Sequence, residues 1–539
     1  MADKKENKSQ KANSSKTSHN TTKITTAETS VFSTEDMAMF CRNKGFVYTS
    51  SEIYGGMKGF FDYGPLGADM KKNLKDAWWK YHVQDREDIV GIDGSIITHP
   101  KVWKASGHAE NFADVMVEDT KTGEKFRADV LIEDALKIPA DGLSSEEMWK
   151  IIEENKLTSP AGNPLAIPEH FNLMFTTNVG LKVSKENSAY LRPETAQVIF
   201  ADFRQIVENA RLKLPFGIAQ MGKAFRNEIS PRNFLFRCRE FEQMEIEYFI
   251  HPNDINNCPW IDTVKDHNIT ILSAEDQKSQ TLQDGTSMTI GDALTKGIIK
   301  TQWHAYWLAE EHRWFISLGA KADNFRIRQH VETEKSHYAL DTWDLEYKFP
   351  FGWKELQGMA NRTDFDLQQH IKHSGKDLSI FDEATKSKIV PYVVAEPSQG
   401  VDRAFLVFLY DAYVNNTERG NIVLNLSPKL APIKVAVLPL INKLNDQARE
   451  VYSMLHKEFP IQYDKSGSVG RRYARADEIG IPFCVTVDFD YVEKQTVTIR
   501  DRTSTKQIIV HKDKIVETLH KLLQETISFE NAGTLKETK

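Results

Sequence analysis

Apolar and polar positions alternate with period two through two neighbouring stretches of the chain, Phe216–Glu228 and Phe241–Tyr248. That period predicts strands, because successive side chains leave a strand on opposite faces. In the first stretch Gln220, Ala224, Arg226 and Glu228 share a face. In the second, Phe241, Gln243, Glu245 and Glu247 share one face, and Met244, Ile246 and Tyr248 take the other. A hairpin of the two, closed by the charged loop 229–236, would bury its apolar underside. It would then lift carboxylates, an arginine and a ring onto one surface. Parity alone is met equally by a nucleotide shelf and by a plain solvated sheet face.

Elsewhere the period is helical. Ser33-Thr34-Glu35-Asp36 reads as a helix start with acids in its first turn. From Leu66, the positions Met70, Leu74, Trp78 and Tyr81 form an amphipathic stripe, followed by a strand-like run Ile89–Thr98 that ends at Pro100. Met148, Ile151 and Ile152 predict a helical insertion over about 134–170. Pro193 marks a helix start with Glu194 and Thr195 in the first turn. Trp303, Tyr306, Trp307 and Trp314, with His304 and His312 between them, predict a helix in a second insertion over about 251–330. Inward packing of those rings is expected over stacking on RNA, and the histidines, lacking a ligand-like pattern, are expected to be structural. Leu340, Thr342, Asp344 and Glu346 alternate as a strand. Val393 and Val394 lead into Glu396-Pro397-Ser398-Gln399-Gly400. A helix follows with Arg403 in its first turn and Val401, Phe405, Phe408 and Ala412 as its buried stripe.

Beyond Pro428 and Pro432 the organisation changes. Strand-like runs 433–441, 483–489, 497–502 and 507–510 alternate with helical ones at 442–458, from 471 and from 512. This pattern predicts a small α/β domain of about 100 residues, residues 431–539.

Composition narrows the class. With 40% hydrophobic and 27% charged residues the 539-residue chain reads as a soluble globular protein. No apolar run approaches the ~20 residues that span a bilayer, so no membrane partner is expected. Cys41, Cys238, Cys258 and Cys484 form no C-x-x-C pair, which argues against a disulfide framework and against zinc. A reducing, cytoplasmic setting is expected. The formal charge of −7 leaves RNA contact to local patches. Residues 1–30 are almost wholly polar and are expected to be a disordered tail. They lack an apolar core for a signal peptide. They also lack arginine and carry Asp3 and Glu6, which disfavours a transit peptide.

The exact strings sharpen the hairpin. Phe225-Arg226-Asn227-Glu228, a basic loop and Arg239-Glu240-Phe241 resemble motif 2 of class II aminoacyl-tRNA synthetases, and the Glu-rich second strand resembles the glycyl form. Ala105-Ser106-Gly107-His108, Phe126-Arg127-Ala128-Asp129, Arg192-Pro193-Glu194-Thr195-Ala196-Gln197 and Phe351-Gly352-Trp353-Lys354-Glu355-Leu356 resemble strings of that same group. The helix-strand-proline unit before Pro100 resembles motif 1, and the strand-turn-helix through Arg403 resembles motif 3. All three motifs stand in order, and the resemblance extends from about residue 33 to the end. Three departures stand out: Val198 where relatives carry glycine, Thr503 where aspartate is common, and no cysteines at 119–125, which excludes a zinc knuckle.

The resemblance implies an α+β fold: a class II antiparallel sheet flanked by helices over 31–430, and an anticodon-binding α/β domain over 431–539. It implies a homodimer through motif 1, and a two-step reaction. Glycine and ATP, with Mg²⁺, give glycyl-adenylate, and the glycyl group then passes to the 3′ end of tRNA(Gly). Arg226 would hold the α-phosphate, Glu228 the adenine amino group, and Phe241 would stack on the ring. Arg237 and Arg403 would hold the outer phosphates, with Arg226 and Arg403 as the catalytic pair. Asn227, Phe236, Glu355, Leu356 and Gly400 complete the expected ATP site, Glu355 acting directly or through Mg²⁺. Glycine would be held by Arg127, Glu194, Phe241, Glu245, Glu396 and Ser398, and larger amino acids excluded sterically. Arg471, Arg472 and Arg475 would meet tRNA phosphates, and the 229–236 loop the acceptor end. Glu247 receives no role. Two alternatives are a synthetase for another small amino acid and a non-catalytic synthetase-like binding protein. The glutamate set and the Arg192–Gln197 string speak against the first; Arg226, Glu228, Phe241 and Arg403 speak against the second.

Overall fold

The computed structural model describes residues 32–536 except 139, 141–142, 182–186, 279–283, 333, 335–338 and 384. The polar tail 1–30 lies outside the described residues. Nine strands form the main sheet: β1 (Ile89–Ile92), β2 (Phe216–Phe225), β3 (Glu240–Ile250), β4 (Asn268–Leu272), β5 (Thr286–Thr289), β6 (Phe325–Gln329), β7 (Asp341–Phe349), β8 (Gly352–Asn361) and β9 (Tyr392–Gly400). Their order across the sheet is β5-β4-β6-β7-β8-β9-β3-β2-β1. All neighbours are antiparallel except β1/β2 and β4/β6. Five helices matter for the site: α1 (Pro65–Trp79), α2 (Ala196–Ala210), α3 (Gln302–Ser317), α4 (Phe365–Ser374) and α5 (Val401–Ala412).

The hairpin forms with the parity its sequence predicts. Gln220 pairs with Glu245, Gly222 with Gln243 and Ala224 with Phe241, so these side chains share one face. Met244, Ile246 and Tyr248 enter the large core on the other. Arg226, Asn227 and Glu228 follow the end of β2 instead of continuing it. The polar face is itself covered: Gln220, Glu245 and Glu247 are all at most 1% exposed.

Several predicted elements are redrawn. The run Ile89–Thr98 breaks in two, with β1 beside β2 and Ile97–Thr98 pairing separately with Tyr190–Leu191. Gly94 sits in the gap, where its N–H donates to Gln220 Oε1 at 2.8 Å and its carbonyl accepts from Arg192 at 2.7 Å. A Cβ there would lie 2.4 Å from Val198, so the valine fills space against a backbone that has no room to give. Pro100 opens a short helix, Pro100–Ala105. Helix α2 starts at Ala196 with Thr195 as its cap. Glu194 and Thr195 therefore lie outside the first turn, and both side chains are turned to the site.

The stretch 251–330 is not a helical insertion. It supplies β4, β5 and β6, the edge of the main sheet, as well as α3. Trp303, Trp307 and Trp314 are each at most 1% exposed, and the Trp303 and Trp307 rings lie 5.2 Å from that of Tyr248. None of the three is available to stack on RNA, and His304 and His312 are buried among them. The stretch 134–170 is likewise mixed. Helix Ser145–Glu154 carries a Ser144/Glu147 capping box and packs Met148 and Ile152 on Ala128 and Ile132, while Glu169–Asn172 pairs with Ala113–Glu118.

The C-terminal part is a second sheet of β10 (Val435–Pro439), β11 (Ile461–Tyr463), β12 (Phe483–Val487), β13 (Thr496–Asp501), β14 (Gln507–His511) and β15 (Thr534–Leu535). Its order is β11-β10-β12-β13-β14-β15. Helices α6 (Asn445–Leu455), α7 (Val469–Glu478) and α8 (Ile515–Leu523) cover it, around a core of Val435, Val437, Val485, Ile499 and Leu519. The three arginines expected to meet tRNA divide. Arg472 is 4% exposed and spends its guanidinium on the Pro439 and Leu440 carbonyls, so it holds α7 to β10 and is not free for a phosphate. Arg475 is paired with Asp464, and Arg471 is exposed.

Because Trp307 is fully buried beneath β3, Trp307→Ala should destabilise the protein by about 3–5 kcal/mol. Denaturant titration of the main-sheet transition should show that loss; a loss under about 1 kcal/mol would mean that the ring is not core.

Candidate active site

The face of β3, β8 and β9 together with the 226–239 turn encloses a cavity of about 470 Å³. Ser398 on its wall pairs in register with Glu245, the first of a group of buried carboxyl side chains behind it. Arg226, Glu228, Phe236, Arg237 and Phe241 line it from the hairpin, Glu355 and Leu356 from β8, and Ser398, Gly400 and Arg403 from β9 and α5. Arg127 reaches in from the side. The expected ATP residues are therefore brought together, apart from Asn227, which is not on the wall; its backbone N–H donates to Leu173 O at 2.7 Å.

The outer end is basic and aromatic. Arg226 Nε donates to the Pro193 carbonyl at 3.0 Å, and its guanidinium lies between the Phe112 and Phe241 rings, 5.3 Å from each. Arg403 donates to the carbonyls of Phe236 (3.2 Å) and Glu355 (2.8 Å) and sits 4.4 Å over the Phe236 ring. Main-chain acceptors thus aim both forks, and Arg403 also forms an ion pair with the Glu355 carboxylate at 3.4 Å. Arg237 donates to Glu228 Oε2 at 2.7 Å. Arg127 is tied to Asp129 and, at 3.2 Å, to Asp114. Desolvation by the cleft wall disfavours ionised Glu355, although its side chain is half exposed; Arg403 and Arg226 more than offset this and lower its pKa, so a carboxylate faces the cleft.

The inner end is acidic and closed. Register sets Glu245 opposite Ser398, and oxygens of Glu245, Glu247 and Glu396 all lie within 4.8 Å of one another. Glu245 accepts from the Thr195 hydroxyl, whose residue is in turn held by Gln220 Nε2 on its carbonyl at 3.1 Å. Arg362, at the end of β8, donates to both oxygens of Glu396 at 2.8 Å and, on its other edge, to Asp366 at 2.6 Å. Gln197 bridges Glu194 (3.2 Å) and Asp366 (3.0 Å), and His370 fixes Gln197. His108 faces Glu194 at 3.2 Å. Both oxygens of Glu247 are buried with no hydrogen-bond donor among the described residues.

Carboxyl groups outnumber cations here, and their proton affinities diverge. Burial alone would raise Glu194, but His108 and Arg362 pull it well below its ordinary value. Burial, then the Glu194 charge, raises Glu245. Burial pushes Glu396 up to about 8 against the pull of Arg362. Glu247 is raised as well, through burial and then the Glu396 charge. Of the three clustered acids, Glu247 alone lacks a hydrogen-bond donor among the described residues, which favours its neutral form. A cavity that is cationic at its mouth and has more carboxyl groups than cations at its base suits a molecule with phosphates at one end and an ammonium group at the other.

Sequence patterning assigns no place in the site to Arg362, Asp366, Thr195, Gln197 or His108, nor to Glu247. The available signal is electrical: acids placed together on one strand face require a base, and Asn361-Arg362 closes the polar strand that follows.

The fold and these two ends define a class II aminoacyl-tRNA synthetase. Residues 180–268 match the tRNA synthetase class II core domain (G, H, P, S and T), and residues 434–522 match the anticodon binding domain. The fold is similar to a Cryptosporidium parvum threonyl-tRNA synthetase structure (TM-score 0.55, 16% identity, 90% of this chain and 97% of that one). It is also similar to the prolyl-tRNA synthetase of that organism (TM-score 0.54, 14%, 91% and 77%). In sequence the chain is 43% identical over 504 residues to the glycine–tRNA ligase of Caldanaerobacter subterraneus subsp. tengcongensis, covering 92% of this chain and 98% of the relative. It is 42% identical over 505 residues to that of Bacillus thuringiensis subsp. konkukian, covering 92% and 100%. The chain belongs to the glycine–tRNA ligase family.

The raised Glu396 acid means that the folded state holds more protons than the unfolded chain between about 4.5 and about 8. Its contribution to stability is therefore complete below about pH 4.5 and is lost as pH rises to about 8. Melting temperature measured across that window should show the decline. Glu247→Gln, which copies the neutral acid, should change stability by less than about 1 kcal/mol. A collapse of the fold in that variant would mean that Glu247 is ionised.

Proposed function

We propose that the cavity binds ATP along its outer, basic end and glycine at its inner, acidic end, as the adenylate-forming site of this ligase. One observation carries the reading. Glu245, Glu396 and Ser398 converge where the nucleotide cleft ends, in a space bounded by buried carboxylates with an unmet need for positive charge. Arg226 holds the α-phosphate, with Phe241 beside it for the adenine ring. Glu228, one oxygen of which is taken by Arg237, offers the other to the adenine amino group. Arg237 and Arg403 hold the outer phosphates, and Glu355 stands where a hard cation such as Mg²⁺ between phosphates wants carboxylate oxygen.

The glycine carboxylate oxygen attacks the α-phosphorus, the bond to the β-phosphate oxygen breaks, and pyrophosphate leaves with the electron pair. The arginines act by positioning and by neutralising the charge that develops. In the second step a hydroxyl of the tRNA terminal ribose attacks the glycyl carbonyl, AMP departs and the hydroxyl proton is released. Glycine offers no side chain, so selection rests on the closed inner wall and on charge at both ends. Glu194 and Glu245 face the ammonium; Glu396, held by Arg362, and Ser398 complete the pocket; Arg127 lies on the carboxylate side.

The tRNA is met by the 229–236 loop at its acceptor end and by the C-terminal sheet, with Arg471, and Arg475 beside its partner Asp464, as the exposed basic residues on α7. The division into a catalytic part to residue 430 and an anticodon-binding part from 431 follows the two sheets. A homodimer, which the exposed Ile96 and Ile97 after β1 favour, and a cytoplasmic setting are part of this reading.

Amino-acid-dependent exchange of pyrophosphate into ATP tests the substrate assignment. Glycine should support exchange and alanine, serine, proline and threonine should not; faster exchange with alanine or serine would overturn it. Arg226→Ala should lower the glycine-dependent rate on the order of a hundredfold, and a rate within about twofold of the parent would remove Arg226 from the phosphate.

A further inference from the structure

Asp402 precedes the ATP arginine Arg403 in the first turn of α5, and its surroundings are unusual for a helix-terminal aspartate. It is 5% exposed. One carboxylate oxygen accepts from the Tyr63 hydroxyl and, at 3.0 Å, from Lys71 Nζ of α1. The other accepts from the backbone N–H of Glu242 at 2.8 Å. Lys71, itself 7% exposed, also pairs with Glu242 at 2.9 Å and lies 4.1 Å over the Tyr63 ring. Lys75, one turn further along α1, closes the group on Glu242. Two ammonium groups and two carboxylates thus balance in a buried cluster.

Each contact comes from a different element: Tyr63 from the short strand Phe61–Tyr63, Lys71 and Lys75 from α1, Glu242 from β3, and Asp402 from α5. Glu242 follows Phe241, the adenine-side ring, and Asp402 precedes Arg403. The bond from Glu242 N–H to Asp402 therefore joins the residues adjoining the ring and the phosphate arginine. Breaking a buried, balanced cluster leaves one charge uncompensated, so its members have a single arrangement.

We propose that Asp402 is a positioning residue for ATP: it sets the spacing between Arg403 and Phe241, and through Lys71 makes that spacing depend on where α1 lies. The inference rests on the assignment of the outer cavity to ATP. It also separates the two ends of the site, because the glycine-side residues Glu245, Glu396 and Arg362 share none of these contacts.

The test is steady-state pyrophosphate exchange with Asp402→Asn and Tyr63→Phe, titrating ATP and glycine separately. Asp402→Asn should raise the KM for ATP about tenfold, because a small displacement of a phosphate-holding group is felt strongly. The KM for glycine should stay within about twofold, and Tyr63→Phe should shift ATP in the same direction by less. A merely structural role would move both constants together; equal shifts, or no shift in either variant, would overturn the proposal. If Asp402→Asn does not fold, Tyr63→Phe decides on the same criterion. Failure of the parent protein to exchange with any amino acid would instead refute the functional reading. ATP affinity of parent and variants by calorimetry would then decide the positioning role separately, an unchanged affinity refuting it.

Discussion

Everything in the inner half of the site depends on one imbalance: too many carboxyl groups for the cations that hold them. Arg362 serves Glu396 with one edge and Asp366 with the other. Glu245 is held by a hydroxyl donor, and Glu247 has no donor among the described residues. Burying charge without a counter-ion is costly, and the group responds by holding protons. A substrate that brings its own ammonium supplies what the fold withholds. On the proposed reading, glycine binding at the inner end relieves this imbalance, and no large contact surface is needed for a ligand of so few atoms.

The two ends are held at fixed distance by shared strands. β9 carries Glu396 and Ser398 on the site face and hands over to α5, where Arg403 turns into the cleft. β3 carries Phe241 at one end of the site and Glu245 near the other. An extended strand rises about 3.3 Å per residue, so the separation of ring and ammonium site is set by counting along β3. No loop has to move to establish it, and residues on strands of a central sheet are placed with little freedom.

Parts of this arrangement are legible in the residue pattern itself. Period two places Phe241, Glu245 and Glu247 on one face, and the register of β2 with β3 agrees. Helical spacing identifies the stripe Val401–Phe405–Phe408 under Arg403, which is buried as expected. What stays hidden is tertiary. The polar face of the hairpin looks solvent-exposed by parity, and only the covering by α2 and α4 makes its acids buried and therefore perturbed. Arg362 is far from Glu396 in sequence, and the β8–β9 pairing that joins them leaves no local pattern. Strands β4, β5 and β6 are four or five residues long, too short for alternation to stand out from the aromatic helix beside them. Helix α2 begins later than its start signal at Pro193, and its N-cap residue Thr195 gives its hydroxyl to Glu245 instead of to the helix backbone. Arg472 shows the same limit in the second sheet, where three arginines look alike until burial separates them.

On the proposed reading the inner pocket selects by positive charge more than by shape. Glycolate has the size and carboxylate of glycine with a hydroxyl in place of the ammonium. Calorimetric titration of the ATP-loaded protein with each ligand measures the difference directly. Glycine should bind on the order of a hundredfold tighter than glycolate. Glycolate binding as tightly as glycine would contradict selection by charge, since the carboxylate cluster would then contribute nothing to recognition.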